Sequence, residues 1–223
     1  MSNDNKTAYN SSEYDGHIVN VLPFYHEYHN QIVNLAEVYK PGAVDWLDTG
    51  CGTGTLAAKV LETRQNVRFT LSDPSEKMLK EAEKKLAGRN IRFINKASHE
   101  FEFESEYDVI TAVQSHHYYR PDERQKAVLN CYRALRNGGV FITFENIRMS
   151  TDISDAIGLK RWVSFLEKHG NSEQDIQMHI DRRGAEVFPI TVEEHIDLLK
   201  RCGFRSVDIL WAAYLQAGLW AIK

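Results

Sequence analysis

The stretch Asp48-Thr49-Gly50-Cys51-Gly52-Thr53-Gly54 constrains this chain more than any other. Glycines on alternate positions mark a backbone that turns tightly and lets other atoms come closer than a side chain would permit. The flanking residues give that turn a place in a fold. Before it, Ala43-Val44-Asp45-Trp46-Leu47 reads as a short buried strand; after it, Leu56, Ala57, Val60 and Leu61 fall on one helical face. Strand, glycine turn and helix in that order open a parallel strand–helix–strand unit.

The alternation continues along the chain. Residues 67–71 read as a second strand, and Asp73-Pro74-Ser75-Glu76 starts a helix with its acidic residues set against the helix dipole. Met78, Leu79, Ala82 and Leu86 form the apolar face of that helix. Further strands are expected at 91–94, 107–113 and 140–144, with a helix over 124–136 closed by Asn137-Gly138-Gly139. Upstream of the glycine turn, Tyr25, Tyr28, Ile32, Leu35 and Tyr39 repeat at helical spacing from Phe24 until Pro41-Gly42, while residues 1–16 are polar and expected to be loose. Residues 151–185 look wholly helical and interrupt the pattern, which resumes with Val192, Ile196 and Leu199 and stops at Cys202-Gly203-Phe204. The last strands, 206–213 and 216–222, have so little chain between them that only an antiparallel hairpin can join them. The expected fold is α/β: a doubly wound, Rossmann-like, mostly parallel seven-stranded sheet ending in an antiparallel hairpin, with a helical insert after the fifth strand. One domain over residues 1–223 would then divide into a helical cap (1–40), a ligand-binding core (41–145), the insert (146–190), and a last helix with its hairpin (191–223).

Composition narrows the partners. With 27 Lys plus Arg against 31 Asp plus Glu, the net charge is −4, without the basic excess of a dedicated nucleic-acid binder. Cys51, Cys131 and Cys202 are odd in number and widely spaced, so neither a disulfide framework nor a zinc site follows. His26-Glu27-Tyr28-His29 spaces its histidines at i and i+3 without a third ligand, which fits a polar helix face, and no metal is expected. Met1 to Lys6 lacks the apolar core of a secretion leader, and nowhere do about 18 apolar residues run together as a membrane helix requires. A cytoplasmic protein with no membrane partner is expected.

The glycine turn also speaks of its ligand. Asp73 follows it by about 20 residues at the end of the second strand, where a carboxylate can hold ribose hydroxyls; a helix-capping role is the structural alternative. The spacing is G-x-G-x-G rather than the dinucleotide pattern G-x-G-x-x-G, and Asp48 stands two residues before the first glycine. A carboxylate there repels a pyrophosphate and suits a ligand that carries a sulfonium and an ammonium. The charge pattern favours S-adenosyl-L-methionine over NAD.

Residues 44–54, Ser72-Asp73, Tyr107-Asp108-Val109-Ile110 and Leu135-Arg136-Asn137-Gly138-Gly139-Val140 resemble the ordered motifs of the class I S-adenosylmethionine-dependent methyltransferases. That resemblance implies methyl transfer from S-adenosyl-L-methionine, with S-adenosyl-L-homocysteine as product. It places Asp48, Gly50, Cys51, Gly52 and Gly54 along the methionine part of the cofactor, Asp73 with Pro74 at the ribose, Met78 near the adenine, and Gln114 at the end of the fourth strand. Many members carry an Asp after the third strand for the adenine amino group. Here Lys96-Ala97-Ser98-His99 follows, and Ser98 is the expected substitute. Pro23 with the tyrosine-rich helix, and Val192-Glu193-Glu194-His195 through Gly203-Phe204 to the hairpin, are also similar to carboxy-S-adenosylmethionine synthase, which implies an alternative role linked to tRNA wobble-uridine modification. A third alternative is a non-catalytic S-adenosylmethionine-binding protein.

The acceptor side is expected after the fourth strand, at Gln114-Ser115-His116-His117-Tyr118-Tyr119. His117 and His116 are the candidate bases, if the acceptor must lose a proton, and capping of the strand is their alternative role. Tyr9, Tyr14 and Asp15 belong to a segment that folds over the cofactor in similar proteins; Tyr14 is a catalytic candidate beside the transferred methyl group, or a packing residue. Trp162, Phe165, His169, His179, Arg182 and Arg183 populate the insert, which builds the acceptor pocket in this family. Arg182-Arg183 could clamp an anionic substrate or form a solvated face. No Asn-Pro-Pro-Tyr or Asp-Pro-Pro-Tyr stretch is present, so the family's amino-methylating nucleic-acid signature is missing. The expected partner is a small-molecule acceptor, with an anion and a homodimer both left open.

Overall fold

Strands and helices alternate as the apolar pattern requires. A computed structural model describes residues 7–223, and the polar stretch 1–6, read above as no leader, lies outside the described residues. The core elements are α1 (Tyr14–Val21), α2 (Tyr25–Tyr39), β1 (Val44–Thr49), α3 (Thr55–Thr63), β2 (Val67–Ser72), α4 (Glu76–Lys85), β3 (Arg92–Ile94), β4 (Tyr107–Val113), α5 (Pro121–Ala134) and β5 (Leu135–Asn146). The insert follows as α6 (Asp152–Lys168) and α7 (Glu173–Arg182), and the chain closes with α8 (Val192–Arg201), β6 (Ser206–Ala213) and β7 (Gln216–Ile222).

The seven strands form one sheet in the order β3-β2-β1-β4-β5-β7-β6. Strands β1 to β5 pair in parallel, and β7 joins antiparallel to both β5 and β6. The doubly wound sheet with an antiparallel end is therefore observed. Strands covered on both faces must be apolar on both, and this sheet obeys. Trp46, Val109, Val140 and Ile142 turn toward α2 and α3, whereas Leu47, Ile110 and Phe141 turn toward α5 and α8. Each such fully buried side chain contributes roughly 1.5–3 kcal/mol relative to exposure. The hairpin fits against β5 because Gly218 has no side chain: a Cβ there would lie 2.3 Å from the Phe144 ring.

Two departures from expectation matter for the site. Residues 14–16, expected to be loose, open helix α1, which runs on to Val21. Their sequence hid it, because Gly16 and the polar neighbours leave only Ile18 and Val21 buried. Tertiary contacts hold α1 instead: Trp162 Nε1 donates to the Val21 carbonyl at 2.9 Å. The insert is two helices, broken where Gly170 adopts φ +79° and Ser172 caps α7 by accepting from Asp175 N. Helix α5 also starts earlier than expected, at Pro121, with Glu123 accepting from the Arg120 amide.

The strand order reverses between β1 and β4, since β2 lies on one side of β1 and β4 on the other. In such sheets the crevice beyond the carboxyl ends of the two strands is the ligand site. Here those ends are Thr49 with the glycine turn, and Val113 with Gln114.

Candidate functional site

The glycine turn is held from below by backbone bonds. Cys51 N donates to the Ser72 carbonyl at 3.0 Å, and Gly54 N to the Cys51 carbonyl at 2.9 Å. Gly50, Gly52 and Gly54 all have positive φ, of 65°, 54° and 75°. They serve different ends. A Cβ on Gly50 would lie 2.3 Å from the Ser115 Cβ, and one on Gly54 would lie 2.9 Å from Leu86, so both admit protein. A Cβ on Gly52 meets nothing within 4 Å, which leaves room for a ligand.

Asp73 is tied into the same turn. Its Oδ2 accepts from Gly52 N at 2.9 Å and its Oδ1 from Ser75 N at 2.9 Å. Ser75, not Asp73, caps α4, accepting from Met78 N.

A cleft above the turn is lined by Asp48, Gly50, Cys51, Gly52 and Gln114, joined by Tyr14, Tyr25, His29, Thr53 and Thr55. Asp48 is its chemical signature. The side chain is 2% exposed, and its Oδ1 accepts from Thr111 Oγ1 at 2.6 Å, itself held by Trp46 Nε1 at 3.0 Å. Burial pushes its carboxyl up to about 7, against the Thr111 hydrogen bond, and the negative charge of Asp73 adds to the rise. A buried carboxylate with no protein cation beside it is costly and becomes favourable when a cation enters. Burial likewise holds His29 down to about 4, so it adds no competing charge at neutral pH. These residues fit the ammonium and sulfonium of S-adenosyl-L-methionine.

Not every expected cofactor residue reaches this cleft. Gly54 faces α4, and Met78 is 2% exposed within the core. Ser98 is turned into the protein, with Oγ 2.9 Å from His116 Nε2 and 3.3 Å from Tyr119 OH. Asp73 and Pro74 adjoin the turn but do not line the cleft. Tyr25, His29, Thr53 and Thr55 were missed. The first two sit one turn apart on α2, where aromatic spacing read as core alone.

The N-terminal helix lies over the turn. Asp15 accepts from Thr53 Oγ1 at 2.6 Å and pairs with Lys85 Nζ at 2.6 Å; Lys85 also reaches Thr55 at 2.7 Å. Burial would raise the Asp15 carboxyl, but hydrogen bonds from Lys85 and Thr53 hold it below its usual value.

A second cavity of about 70 Å³ adjoins the cleft and shares Tyr14 and Gln114 with it. Gln114 holds a positive φ of 52°, a strained conformation for a residue with a side chain. Its Nε2 is fixed by Gln216 Oε1 at 2.7 Å. His117, Tyr118, Asn146, Trp162, His179, Arg182 and Arg183 complete much of the wall. Tyr9 closes the cavity from the N-terminal side, its hydroxyl 3.0 Å from His179 Nε2 and its ring stacked on His17. The two arginines differ: Arg183 is engaged by Asp155 at 2.9 Å and Asn146 at 2.7 Å, while Arg182 pairs at 2.7 Å with the more exposed Glu186. Phe165 stacks on His169 at 3.8 Å, outside this wall.

The two candidate histidines part company. His116 points away from the cavity, toward Ser98 and a small space of about 10 Å³ that it shares with Arg124, Glu145 and His195. Burial holds it down to about 4. His117 lines the second cavity, and its Nδ1 is 2.9 Å from Glu145 Oε2.

Residues 47–139 match the family described as methyltransferase domain. The chain is 25% identical over 203 residues to a carboxy-S-adenosyl-L-methionine synthase of Nautilia profundicola, covering 90% of this chain and 86% of that protein. A protein of the same name from Staphylococcus epidermidis is 22% identical over 219 residues, covering 98% and 96%. Among solved structures, that of a putative S-adenosyl-L-methionine-dependent methyltransferase from Methanococcus maripaludis superposes with a TM-score of 0.66 at 17% identity, covering 100% of this chain and 95% of that one. Residues 47–139 thus carry a methyltransferase domain, and the chain as a whole shares the doubly wound fold of the solved S-adenosyl-L-methionine-dependent methyltransferases.

Proposed function

We propose that the chain moves the methyl group of S-adenosyl-L-methionine to a small-molecule acceptor by in-line displacement, leaving S-adenosyl-L-homocysteine. The observation that carries this reading is the junction of the two cavities: Tyr14 and Gln114 belong to both walls. Displacement at a methyl group needs an acceptor held next to the sulfonium and little covalent help, so positioning and charge supply most of the rate. A cavity closed by Tyr9 and the insert suits a compact molecule better than a polymer. In this reading Asp48 faces the cofactor's positive charges, Gly50 to Gly54 admit its methionine part, and Asp73 stands at the ribose.

Calorimetry with S-adenosyl-L-homocysteine tests the cofactor half. Gly52→Val fills the ligand side of the turn and Asp73→Ala removes the ribose acceptor, so each should weaken binding about 100-fold or more, in line with losing a charged hydrogen-bond partner. Unchanged binding in both variants, with folding verified by melting, would defeat the assignment.

A second reading has a specific observation behind it. The curated relatives named above are carboxy-S-adenosyl-L-methionine synthases, and Arg182 brings a guanidinium to the acceptor wall beside Tyr118, as a carboxylate-bearing reactant requires. Mass spectrometry of the ligand retained through purification separates the two, since a carboxyl replacing one methyl hydrogen makes the cofactor heavier by the mass of carbon dioxide.

A further inference from the structure

We infer that Glu145 fixes the tautomer of His117 so that His117 Nε2 acts as the general base, and that the acceptor therefore presents its nucleophile as an O–H or N–H group. This rests on the methyl-transfer reading above and deepens it.

Glu145 ends the apolar run of β5 with a charge that is 0% exposed. Such a charge persists only if its lone pairs are satisfied, and four contacts do so. Thr143 Oγ1 donates to Oε1 at 2.6 Å and His116 N to the same oxygen at 3.3 Å. His117 N and His117 Nδ1 both lie 2.9 Å from Oε2. Burial is the largest influence and works against the ionised form, but the His117 hydrogen bond and the neighbouring His117, His116 and His195 together outweigh it and hold the carboxyl down to about 2. The carboxylate is thus an acceptor only, and Nδ1 at 2.9 Å from it must carry the hydrogen.

The alternative arrangement, with an unprotonated Nδ1 accepting from Asn146 N at 3.3 Å, would set a lone pair against the carboxylate across 2.9 Å. It is the poorer of the two on distance and on charge. With Nδ1 protonated, the neutral ring keeps its lone pair on Nε2, which has no hydrogen-bond partner among the described residues. The backbone holds the ring in place: Phe188 N donates to the His117 carbonyl at 2.7 Å, and Arg124 reaches the His116 and His117 carbonyls at 3.0 and 3.5 Å. A histidine oriented through Nδ1 by a buried carboxylate is the arrangement that proton abstraction uses elsewhere.

The chemistry follows from the free lone pair. His117 Nε2 takes the proton of the acceptor as the acceptor's electron pair forms a bond to the methyl carbon. The sulfur–methyl bond breaks with its pair remaining on sulfur, and the products are the methylated acceptor, S-adenosyl-L-homocysteine and a protonated His117. Solvent then takes that proton. Acceptors without a labile proton, such as a thioether or a tertiary amine, would leave the dyad idle.

Nitrogen-15 NMR of the histidine-labelled protein, with the His117 signals identified by their loss in His117→Gln, reads the tautomer directly. The expected result is the Nδ1–H tautomer of the neutral ring; an Nε2–H tautomer would overturn the inference whatever the kinetics show. A panel of alcohols, phenols, primary amines, thioethers and tertiary amines, followed by S-adenosyl-L-homocysteine release, reads the chemistry. His117→Gln should lower kcat on a protic acceptor by about 100-fold or more, and Glu145→Gln by about tenfold, with S-adenosyl-L-homocysteine affinity within about twofold of the parent. Turnover of His117→Gln close to the parent's, or turnover confined to acceptors without a labile proton, refutes the inference. Failure of the parent protein to bind the cofactor at all would instead refute the methyl-transfer reading.

Discussion

Cofactor affinity should depend on pH through Asp48, and the dependence can be worked from its surroundings. The carboxyl titrates at about 7 in the unliganded protein because burial and Asp73 disfavour its charge. A ligand ammonium binds the ionised form, so binding expels a proton below pH 7. Affinity then falls with the ionised fraction, about twofold at pH 7 and roughly tenfold at pH 6 relative to pH 8. Well above neutrality the ligand's own α-ammonium begins to lose its charge and affinity falls again. The acid limb, roughly tenfold between pH 8 and pH 6, is the part that measures Asp48. Titration calorimetry with S-adenosyl-L-homocysteine checks this, because its neutral sulfur leaves the ammonium as the cation that Asp48 meets. Asp48→Asn should weaken binding about 10- to 100-fold and abolish the acid limb while the alkaline limb stays. The same variant bears on stability. A carboxyl whose folded value is raised is destabilising when ionised, so stability falls as pH rises from about 4 through 7, and Asp48→Asn should stabilise the unliganded protein at pH 8 by roughly 1–3 kcal/mol. An affinity flat between pH 6 and 8, or an acid limb that survives in Asp48→Asn, would refute the reasoning.

Two further outcomes follow from the packing and the N-terminal helix. Gly218→Ala drives a methyl group into the Phe144 ring, where the Cβ would lie at 2.3 Å, and should cost about 1–3 kcal/mol in urea unfolding; Gly42→Ala, whose Cβ meets nothing within 4 Å, is the control expected to change stability little. Asp15→Asn removes the charge that pairs α1 with Lys85 across the glycine turn. Because the pair is partly exposed it is worth about 0.5–1 kcal/mol, and stopped-flow release of S-adenosyl-L-homocysteine should quicken roughly two- to fivefold, an effect that 1 M salt should erase in the parent protein.

Much of the fold was legible because it rests on period and punctuation. The strand before Gly50 and the helix after Gly54 read directly from apolar spacing, and the short turn between residues 213 and 216 left no topology but a hairpin. Helix α1 escaped because its support lies far away in sequence: two buried residues and a bond from Trp162 do not amount to a period. The break at Gly170 escaped for a related reason. A glycine inside a helical pattern is tolerated often enough that only the cap at Ser172 decides it, and a serine before Glu173 is a common sight.

The site divides along the same line. Asp48, Gly52 and the turn were legible since one continuous segment builds them, and a motif is a record of local geometry. The wall of the second cavity is not local. It draws Tyr9 and Tyr14 from the N-terminal segment, Gln114 and His117 from the end of β4, Asn146 from the end of β5, and Trp162, His179 and Arg182 from the insert. Sequence nominated all of these except Asn146 but could not assemble them, so His116 and His117 stood as equal candidates although the two face opposite ways. Backbone geometry after β4 separates them, and Glu145 receives both amide hydrogens while taking only one side chain. A carboxylate directly after the apolar run 140–144 was the available sign of that arrangement. It becomes informative only once the sheet sets the end of β5 beside the end of β4, which is the register the parallel pairing of Val113 with Phe144 imposes.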